Sequence, residues 1–352
     1  MTSNLLPFIS IIIPVRNEGK YIGGCLDSLM ASTYPLERPE ILVADGCSTD
    51  NTLTLLGEYQ KKFPQLLRII NNPRKIVPPG LNLMIRESKG EFIARIDAHC
   101  IYPKDYLEIL CNHMREHPEV ANVGACCETV PGSDSKMAKA ISIAISHPFG
   151  IGNAQFRIGG EKPRAVDTVP FGFFRKEVFV RHGYFDEDLV RNQDDEFNHR
   201  LVKNGETIIL IPSLKVVYFA RPTLPAIAKM YFQYGLFKPL CVKKLGGAVT
   251  LRQFVPLLFF ASLFFCLALA AILSSGFWLL LAVAESSAYL LGSFLAATSA
   301  LLKRQQSGTL LFHLMLAFAS VHAAYAWGYL QGLWHFLICG KNRMGNDLSL
   351  TR

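Results

Sequence analysis

The chain has 352 residues, half of them hydrophobic, and its 36 Lys and Arg against 28 Asp and Glu give a net charge of +8. That length holds one catalytic domain of roughly 220 to 250 residues plus a small membrane domain, and the positive balance suits an anionic ligand and an anionic membrane surface. Nine scattered cysteines, an odd number with no C-x-x-C pair, argue against a disulfide framework or a zinc site, and no basic cluster falls in a recognised motif that would point to nucleic acid.

The first element is an apolar run at residues 9–13, closed by Pro14-Val15-Arg16-Asn17-Glu18. It reads as a buried strand entering a loop and then a helix. Being short, without a basic leader and ended by proline, it does not read as a secretory signal. A second run, residues 40–44, ends at Asp45-Gly46-Cys47-Ser48-Thr49-Asp50, where Gly46 permits a tight turn and residues 48–50 can cap the next helix. A third, residues 67–70, leads to Asn71-Asn72-Pro73, and a fourth, residues 92–96, ends at Asp97-Ala98-His99. Strands alternating with helices in this way predict an α/β domain with a mainly parallel sheet. No G-x-G-x-x-G follows any strand, so a nucleotide must be held without the dinucleotide fingerprint.

Two polar clusters stand out. Asp97 sits where strands of α/β domains deliver residues to a ligand crevice, and its carboxylate could take a divalent cation or a ribose hydroxyl; the plainer reading is a turn capped by Asp97. About a hundred residues later Asn192-Gln193-Asp194-Asp195-Glu196 opens a helix through Lys203. Acidic residues are favoured there by the helix dipole, and a helix start facing a cleft is also where a general base would sit. Arg157, Arg164 and Arg175 form a basic group suited to phosphates, or a solvated face.

From residue 222 to 247, Tyr231, Tyr234, Leu236 and Phe237 interleave with Lys229, Lys238, Lys243 and Lys244. That composition predicts an amphipathic segment lying on an anionic membrane surface. Three apolar stretches follow, at residues 254–273, 277–302 and 310–339, each long enough to cross a hydrocarbon core. Glu285 in the second should face another helix or a polar pocket. Lys303-Arg304 belongs inside by the positive-inside rule, whereas a single third span puts Lys341 and Arg343 outside against it. The third stretch is read as one span in preference to a re-entrant pair. The expected domains are therefore residues 1–220, an interfacial segment 221–250, and a transmembrane domain of about three spans at 251–352.

These motifs, in this order, resemble the inverting family 2 glycosyltransferases of the GT-A fold, and within them the bacterial exopolysaccharide enzymes. The resemblance runs from about Ile9 to Lys238. It rests on Pro14-Val15-Arg16-Asn17-Glu18 for P-x-(R/Y)-N-E and on the stretch around Asp45, where Ala44 replaces the first Asp. Gly80-Leu81-Asn82, Gly90-Glu91-Phe92-Ile93, and Asp194-Asp195-Glu196-Phe197 with Arg200-Leu201 complete it. Three departures matter: Asp97-Ala98-His99 replaces D-x-D, Gln193 stands for Glu, and Gln233-Tyr234-Gly235-Leu236-Phe237 keeps only the Gln of Q-x-x-R-W.

The resemblance implies a set of roles. Pro14, Arg16, Glu18, Asp45 and Asp97 bind the donor, a UDP-sugar. Asp97 and His99 hold a divalent metal, Mn²⁺ in preference to Mg²⁺ because imidazole replaces a hard carboxylate. Asp194, beside Asp195, is the catalytic base. Gly172, Phe173 and Phe174 form an acceptor-side wall, and Gln233 and Lys238 reach the acceptor. The implied activity is transfer of glucose from UDP-glucose onto a polyprenyl-diphosphate-linked oligosaccharide, with β-linkage, at the cytoplasmic face of a bacterial inner membrane. The partners would be membrane lipids and other polysaccharide-assembly proteins. The alternatives are a polyprenyl-phosphate sugar synthase and an inactive assembly scaffold.

Overall fold

The computed structural model describes residues 6–247 and 251–342. In chain order the first half comprises β1 (Ile9–Val15), α1 (Ile22–Met30), β2 (Pro39–Asp45), α2 (Thr52–Lys62), β3 (Leu67–Asn71), α3 (Val77–Glu87), β4 (Phe92–Arg95), β5 (Cys100–Ile101), α4 (Tyr106–Glu116) and β6 (Val120–Val130). Then come α5 (Lys136–Ala144), the short α6 (Pro148–Ile151) and α7 (Gln155–Ile158), β7 (Arg164–Ala165), β8 (Phe173–Arg175), α8 (Lys176–His182), α9 (Gln193–Lys203) and β9 (Thr207–Phe219). Four long helices close the chain: α10 (Leu224–Leu245), α11 (Val255–Ile272), α12 (Gly276–Lys303) and α13 (Leu311–Gly332). Two compact units result. The first contains residues 1–128 and 159–218, the second residues 129–158 and 219–342.

The sheet order is β3-β2-β1-β4-β8-β6-β9-β5, with β7 on β9. β1 and β2 are isoleucine- and valine-rich and buried almost throughout, as strands covered by helices on both faces must be. The four apolar runs of the sequence are the four parallel strands, with Ile11 opposite both Ile41 and Ala94. Beyond β4 the sheet changes character. β8 joins β4 antiparallel, with Phe92 opposite Arg175, and β6 joins β8 antiparallel. β5 and β7 both pair β9 antiparallel. The sheet is thus mixed where a mainly parallel one was expected. β1 lies between β2 and β4, so the chain leaves it toward one edge and returns on its other side. The crevice outside the carboxyl ends of β1, β2 and β4 is the switch point where such sheets bind ligands.

The core under this crevice is aromatic. Phe173 packs at 5.3 Å from Phe92, and Phe174 lies among Phe179, Phe185 and Phe197, with Phe179 and Phe197 stacked at 5.0 Å.

In the second unit, α10 packs on α13. Backbone meets backbone there. A Cβ on Gly328 would lie 2.1 Å from the Phe232 carbonyl oxygen, one on Gly235 2.1 Å from that of Tyr325, and one on Gly332 2.2 Å from that of Leu236. Only glycine permits this approach, the arrangement small-xxx-small sequences give membrane helices. Residues 129–158, which the sequence assigns to the catalytic domain, belong to this unit: α5 packs against α13, and Arg304 bonds the Ser146 hydroxyl at 2.9 Å. Three helices, Leu251–Ile272, Gly276–Lys303 and Gly308–Ile338, are long and apolar enough to cross a membrane. The last runs through a π-helical turn at Leu333–Ile338 without reversing at Gly328 or Gly332. Glu285 accepts a hydrogen bond from Ser262 of α11 at 3.2 Å, the polar partner its place in an apolar helix requires.

Candidate active site

The site begins where β1 and β2 end side by side. Asn17 turns the chain with φ 55 and ties the two following loops together: its N–H donates to Ser48 Oγ at 2.9 Å, and its Oδ1 accepts from Thr49 N–H at 2.8 Å. The Glu18 N–H donates to Thr52 Oγ1 at 2.8 Å. Asp45 is buried and accepts from both the N–H (3.1 Å) and the hydroxyl (2.6 Å) of Ser48. Its visible work is to shape the β2 loop. Thr52, at the start of α2, also bonds Asp50, so the loop after β1 is seated on the first turn of that helix.

Beside these loops lies a cleft that is open to solvent. It gathers Pro14, Arg16, Glu18 and Asp97 from the expected donor set, with Arg95 and Gln193. Asn72, Lys75 and Arg191 also line it, residues that sequence reasoning does not single out. Arg16, Lys75, Arg95 and Arg191 outnumber Glu18 and Asp97, so the lining suits an anion such as a diphosphate. Asn72 could have been suspected from its place just after β3, as Asp45 and Asp97 were after β2 and β4. Arg191 and Lys75 carried no such signal.

At the end of β4, the Asp97 carboxylate and the His99 Nδ1 are in direct contact. His99 is buried, its ring 5.1 Å from that of Tyr218. The Asp97 backbone N–H donates to the Tyr102 hydroxyl at 2.8 Å, which fixes the turn. Burial alone would raise the Asp97 carboxyl, but contact with His99 and the charge of Arg95 outweigh it and hold the group below the ordinary carboxylate range. The ionised Asp97 carboxylate can offer oxygen to a divalent cation, and His99 could join it as a second donor only as the neutral imidazole, released from its ion pair with Asp97. No set of three metal-ligating side chains occurs among the described residues. Such a cation would take its other ligands from water and from the oxygens of a bound phosphate.

Arg95 connects this strand end to the second polar cluster. It is buried, and its Nη1 donates to the Pro170 carbonyl at 2.6 Å and to Asp194 Oδ2 at 3.1 Å. The three adjacent carboxylates of α9 do different things. Glu196 grips Arg200 at 2.8 and 2.9 Å, and Arg200 reaches the Tyr184 carbonyl. Asp195 pairs with His199 one turn on, at 3.1 Å. Asp194 pairs across the fold with Arg95 and keeps about a third of its side chain exposed. Of the two carboxylates expected to act in catalysis, Asp194 is the one set beside the cleft, on Arg95.

Several expected site residues lie elsewhere. Phe173 and Phe174 are 0% and 2% exposed, core residues that present no face to a sugar. Gly172 is glycine for an internal reason: a Cβ would lie 2.4 Å from the Phe174 ring and 2.5 Å from Asn122 Oδ1. Their core packing gives no support to an acceptor wall; an apolar strand two residues from a turn looks the same whether it faces a ligand or the core. Arg157, Arg164 and Arg175 do not form a phosphate group. Arg157 bonds Thr129 Oγ1, Arg164 the Gly159 carbonyl, and Arg175 the carbonyls of Val120 and His117. Gln233 is buried and Lys238 half-buried in α10.

Comparison with known proteins identifies the family. The family model described as glycosyl transferase family 2 matches residues 10–181. A glycosyltransferase of Methanococcus voltae, named as a dolichyl N-acetyl-α-D-glucosaminyl phosphate 3-β-diacetamido-dideoxy-glucuronosyltransferase, is 31% identical over 243 residues, 67% of this chain and 74% of that one. The succinoglycan biosynthesis protein ExoA of Rhizobium meliloti is 30% identical over 249 residues, 70% of this chain and 74% of its own. Among solved structures, a mannosyltransferase of Pyrobaculum calidifontis in complex with GDP-mannose and Mn²⁺ shares the fold at a TM-score of 0.57 and 20% identity, covering 94% of this chain and 88% of that one. The switch-point cleft, its cationic lining and these relatives converge: the chain belongs to the family 2 glycosyltransferases.

Proposed function

We propose that the protein moves a hexose from a nucleoside diphosphate donor, UDP-glucose first among candidates, onto a hydroxyl of a polyprenyl-diphosphate-linked oligosaccharide, with inversion to a β-linkage. The observation that carries this reading is the cleft at the ends of β1, β2 and β4, lined by Arg16, Lys75, Arg95 and Arg191 and by Asp97, whose carboxylate contacts His99. The two relatives, one named for a lipid-phosphate-linked sugar and one for succinoglycan biosynthesis, support a lipid-linked saccharide acceptor.

Each part of the site then has a task. Arg16, Lys75 and Arg191 bind the diphosphate and offset the charge that grows on it as it leaves. Glu18 and Asp45 hold the nucleoside end in the β1 and β2 loops. Asp97 and His99 hold the divalent cation, which when bound supplies further neutralisation of the leaving diphosphate. Asp194 takes the proton of the attacking hydroxyl. Arg95 sets the orientation of that carboxylate. The chain preceding α11 is placed on the cytoplasmic side, where nucleotide sugars are made.

A donor screen against extracted lipid-linked oligosaccharides tests the reading. Transfer from UDP-glucose to the saccharide is expected. Transfer to a bare polyprenyl phosphate would identify a lipid-phosphate sugar synthase, and neither transfer nor donor hydrolysis would mark an inactive scaffold. Chelation should abolish turnover, Mn²⁺ should restore it more readily than Mg²⁺, and Mn²⁺ should raise the thermal midpoint of the donor-bound protein; full turnover in chelator would remove the metal from the scheme.

A further inference from the structure

We propose that only α11 and α12 cross the membrane and that α13 lies along its surface, seated in the headgroup and acyl boundary of an anionic bilayer. Lys341 is then on the same side as the chain that precedes α11.

The first support is where α13 goes. α11 and α12 form a hairpin: Phe259 stacks on Tyr289 at 4.8 Å, and Ser262 meets Glu285. The start of α11 and the end of α12 therefore face the same side of the bilayer. Both are tied to one stretch of chain, Arg252 to the Asn153 carbonyl at 2.6 Å and Arg304 to Ser146 Oγ at 2.9 Å. α13 begins just after the end of α12. By His322 it has reached the level of Tyr289, whose hydroxyl lies 2.9 Å from its Nδ1. An upright helix would be about 10 Å deeper seven residues later, at roughly 1.5 Å per residue. Instead Tyr329 packs against Phe254, rings 5.7 Å apart, at the very start of α11. Phe254 precedes Phe259 by five residues, or about 7 Å back toward the surface. α13 crosses the hairpin obliquely and turns away from the membrane centre.

The second support is what α13 carries with it. Phe312, Leu316, Trp327, Leu330, Trp334 and Leu337 form one exposed apolar stripe at helical spacing. α5 and α10 pack on α13 as well. α10 runs parallel to α13, Phe232 beside Gly328 and Lys243 within 3.2 Å of the Phe336 carbonyl. Its exposed Lys229, Lys243 and Lys244 thus flank the C-terminal half of α13, and α5 adds exposed Lys136 and Lys139. A spanning α13 would drag lysines at several depths into hydrocarbon. A surface-lying α13 puts its stripe into the bilayer and leaves the lysines to anionic headgroups, with Trp327 and Trp334 at the depth indoles favour. It also places Lys341 on the side that Lys303 and Arg304 already occupy, which removes the conflict with the positive-inside rule.

Two measurements on the full-length protein in native membranes decide this. Single cysteines are placed by Ser275→Cys, Lys341→Cys and Lys62→Cys, with Cys47 and Cys339 replaced by Ser; the other native cysteines are buried. The rate of labelling by an impermeant maleimide should be alike for positions 341 and 62 and differ from that for 275 by at least tenfold between intact and opened membranes. Position 341 behaving like 275 overturns the proposal. A variant carrying Trp278→Phe and Trp334→Phe leaves Trp327 alone. In vesicles of brominated, partly anionic lipids, bromines near the glycerol end should quench it more than bromines near the terminal methyl. The reverse order would place Trp327 at the bilayer centre and refute a surface helix.

Discussion

Arg95 and Asp194 show how one buried contact governs chemistry. A guanidinium in the core needs partners, and here Nη1 finds two, the Pro170 carbonyl and the Asp194 carboxylate, while the buried Nε has none. Asp194 is thereby fixed relative to β4, whose next residues are the Asp97 turn. Asp194→Asn should leave donor affinity within a few-fold while lowering transfer by about two to four orders of magnitude, the range of a lost general base. Single-turnover kinetics beside donor titration would separate the two. If Asp195→Asn were the crippling change instead, the His199-paired carboxylate would be the base. Arg95→Met should cost on the order of 3 kcal/mol of stability, since it strips a partner from a part-buried carboxylate, and should reduce transfer more than donor binding. His99→Asp should shift metal preference toward Mg²⁺, because carboxylate is the harder ligand; isothermal titration of both ions in the presence of UDP reads this without turnover. An unchanged Mn²⁺ to Mg²⁺ ratio would take His99 out of the coordination sphere.

At the scale of elements, the α10–α13 pair depends on glycines that leave no room. Gly328→Ala sets a methyl about 2.1 Å from the Phe232 carbonyl oxygen, so the helices must part, at about 1–3 kcal/mol. A lowered thermal midpoint in detergent, larger than for Gly292→Ala in α12, where a Cβ would meet only Phe149 at 3.6 Å, is the expected result; equal shifts would mean the contact is not tight. What the sequence made legible follows the same logic. Runs such as Ile11-Ile12-Ile13 and Ile41-Leu42-Val43 announce buried parallel strands because they are short, continuous, rich in β-branched residues and bounded by turn signals. β6, β8 and β9 lie antiparallel, and their pairing depends on partners far along the chain, so no local pattern reveals it. Asp97, Glu18 and Asp194 were legible from motif order. Phe173 and Phe174 were misplaced because two adjacent aromatics point to opposite faces of a strand, and here both faces are core. The Gly328 contact was invisible for another reason: a glycine in an apolar helix is read as a weak breaker until its partner helix is known.

For the molecule as a whole, the division of the chain predicts how it can be cut. Residues 129–158 belong with the C-terminal helices, and Ile141, Ile143 and Ala144 of α5 are buried there. A chain ending after Ala220 would therefore expose that apolar face, and it should aggregate or bind a hydrophobic dye strongly by comparison with the full protein in detergent. A monodisperse, dye-silent fragment would show that α5 does not need α13. The interleaving also has a consequence for biosynthesis. α5 leaves the ribosome well before α13, the helix that covers it, and at roughly 5–20 residues per second the wait is on the order of ten seconds. During that interval an apolar segment tethered to a folding sheet has no partner in its own chain. The nascent protein should therefore depend on early delivery to the insertion machinery or on a chaperone holding α5, and a pause engineered just before α11 should lower the yield of folded enzyme more than the same pause placed before β6.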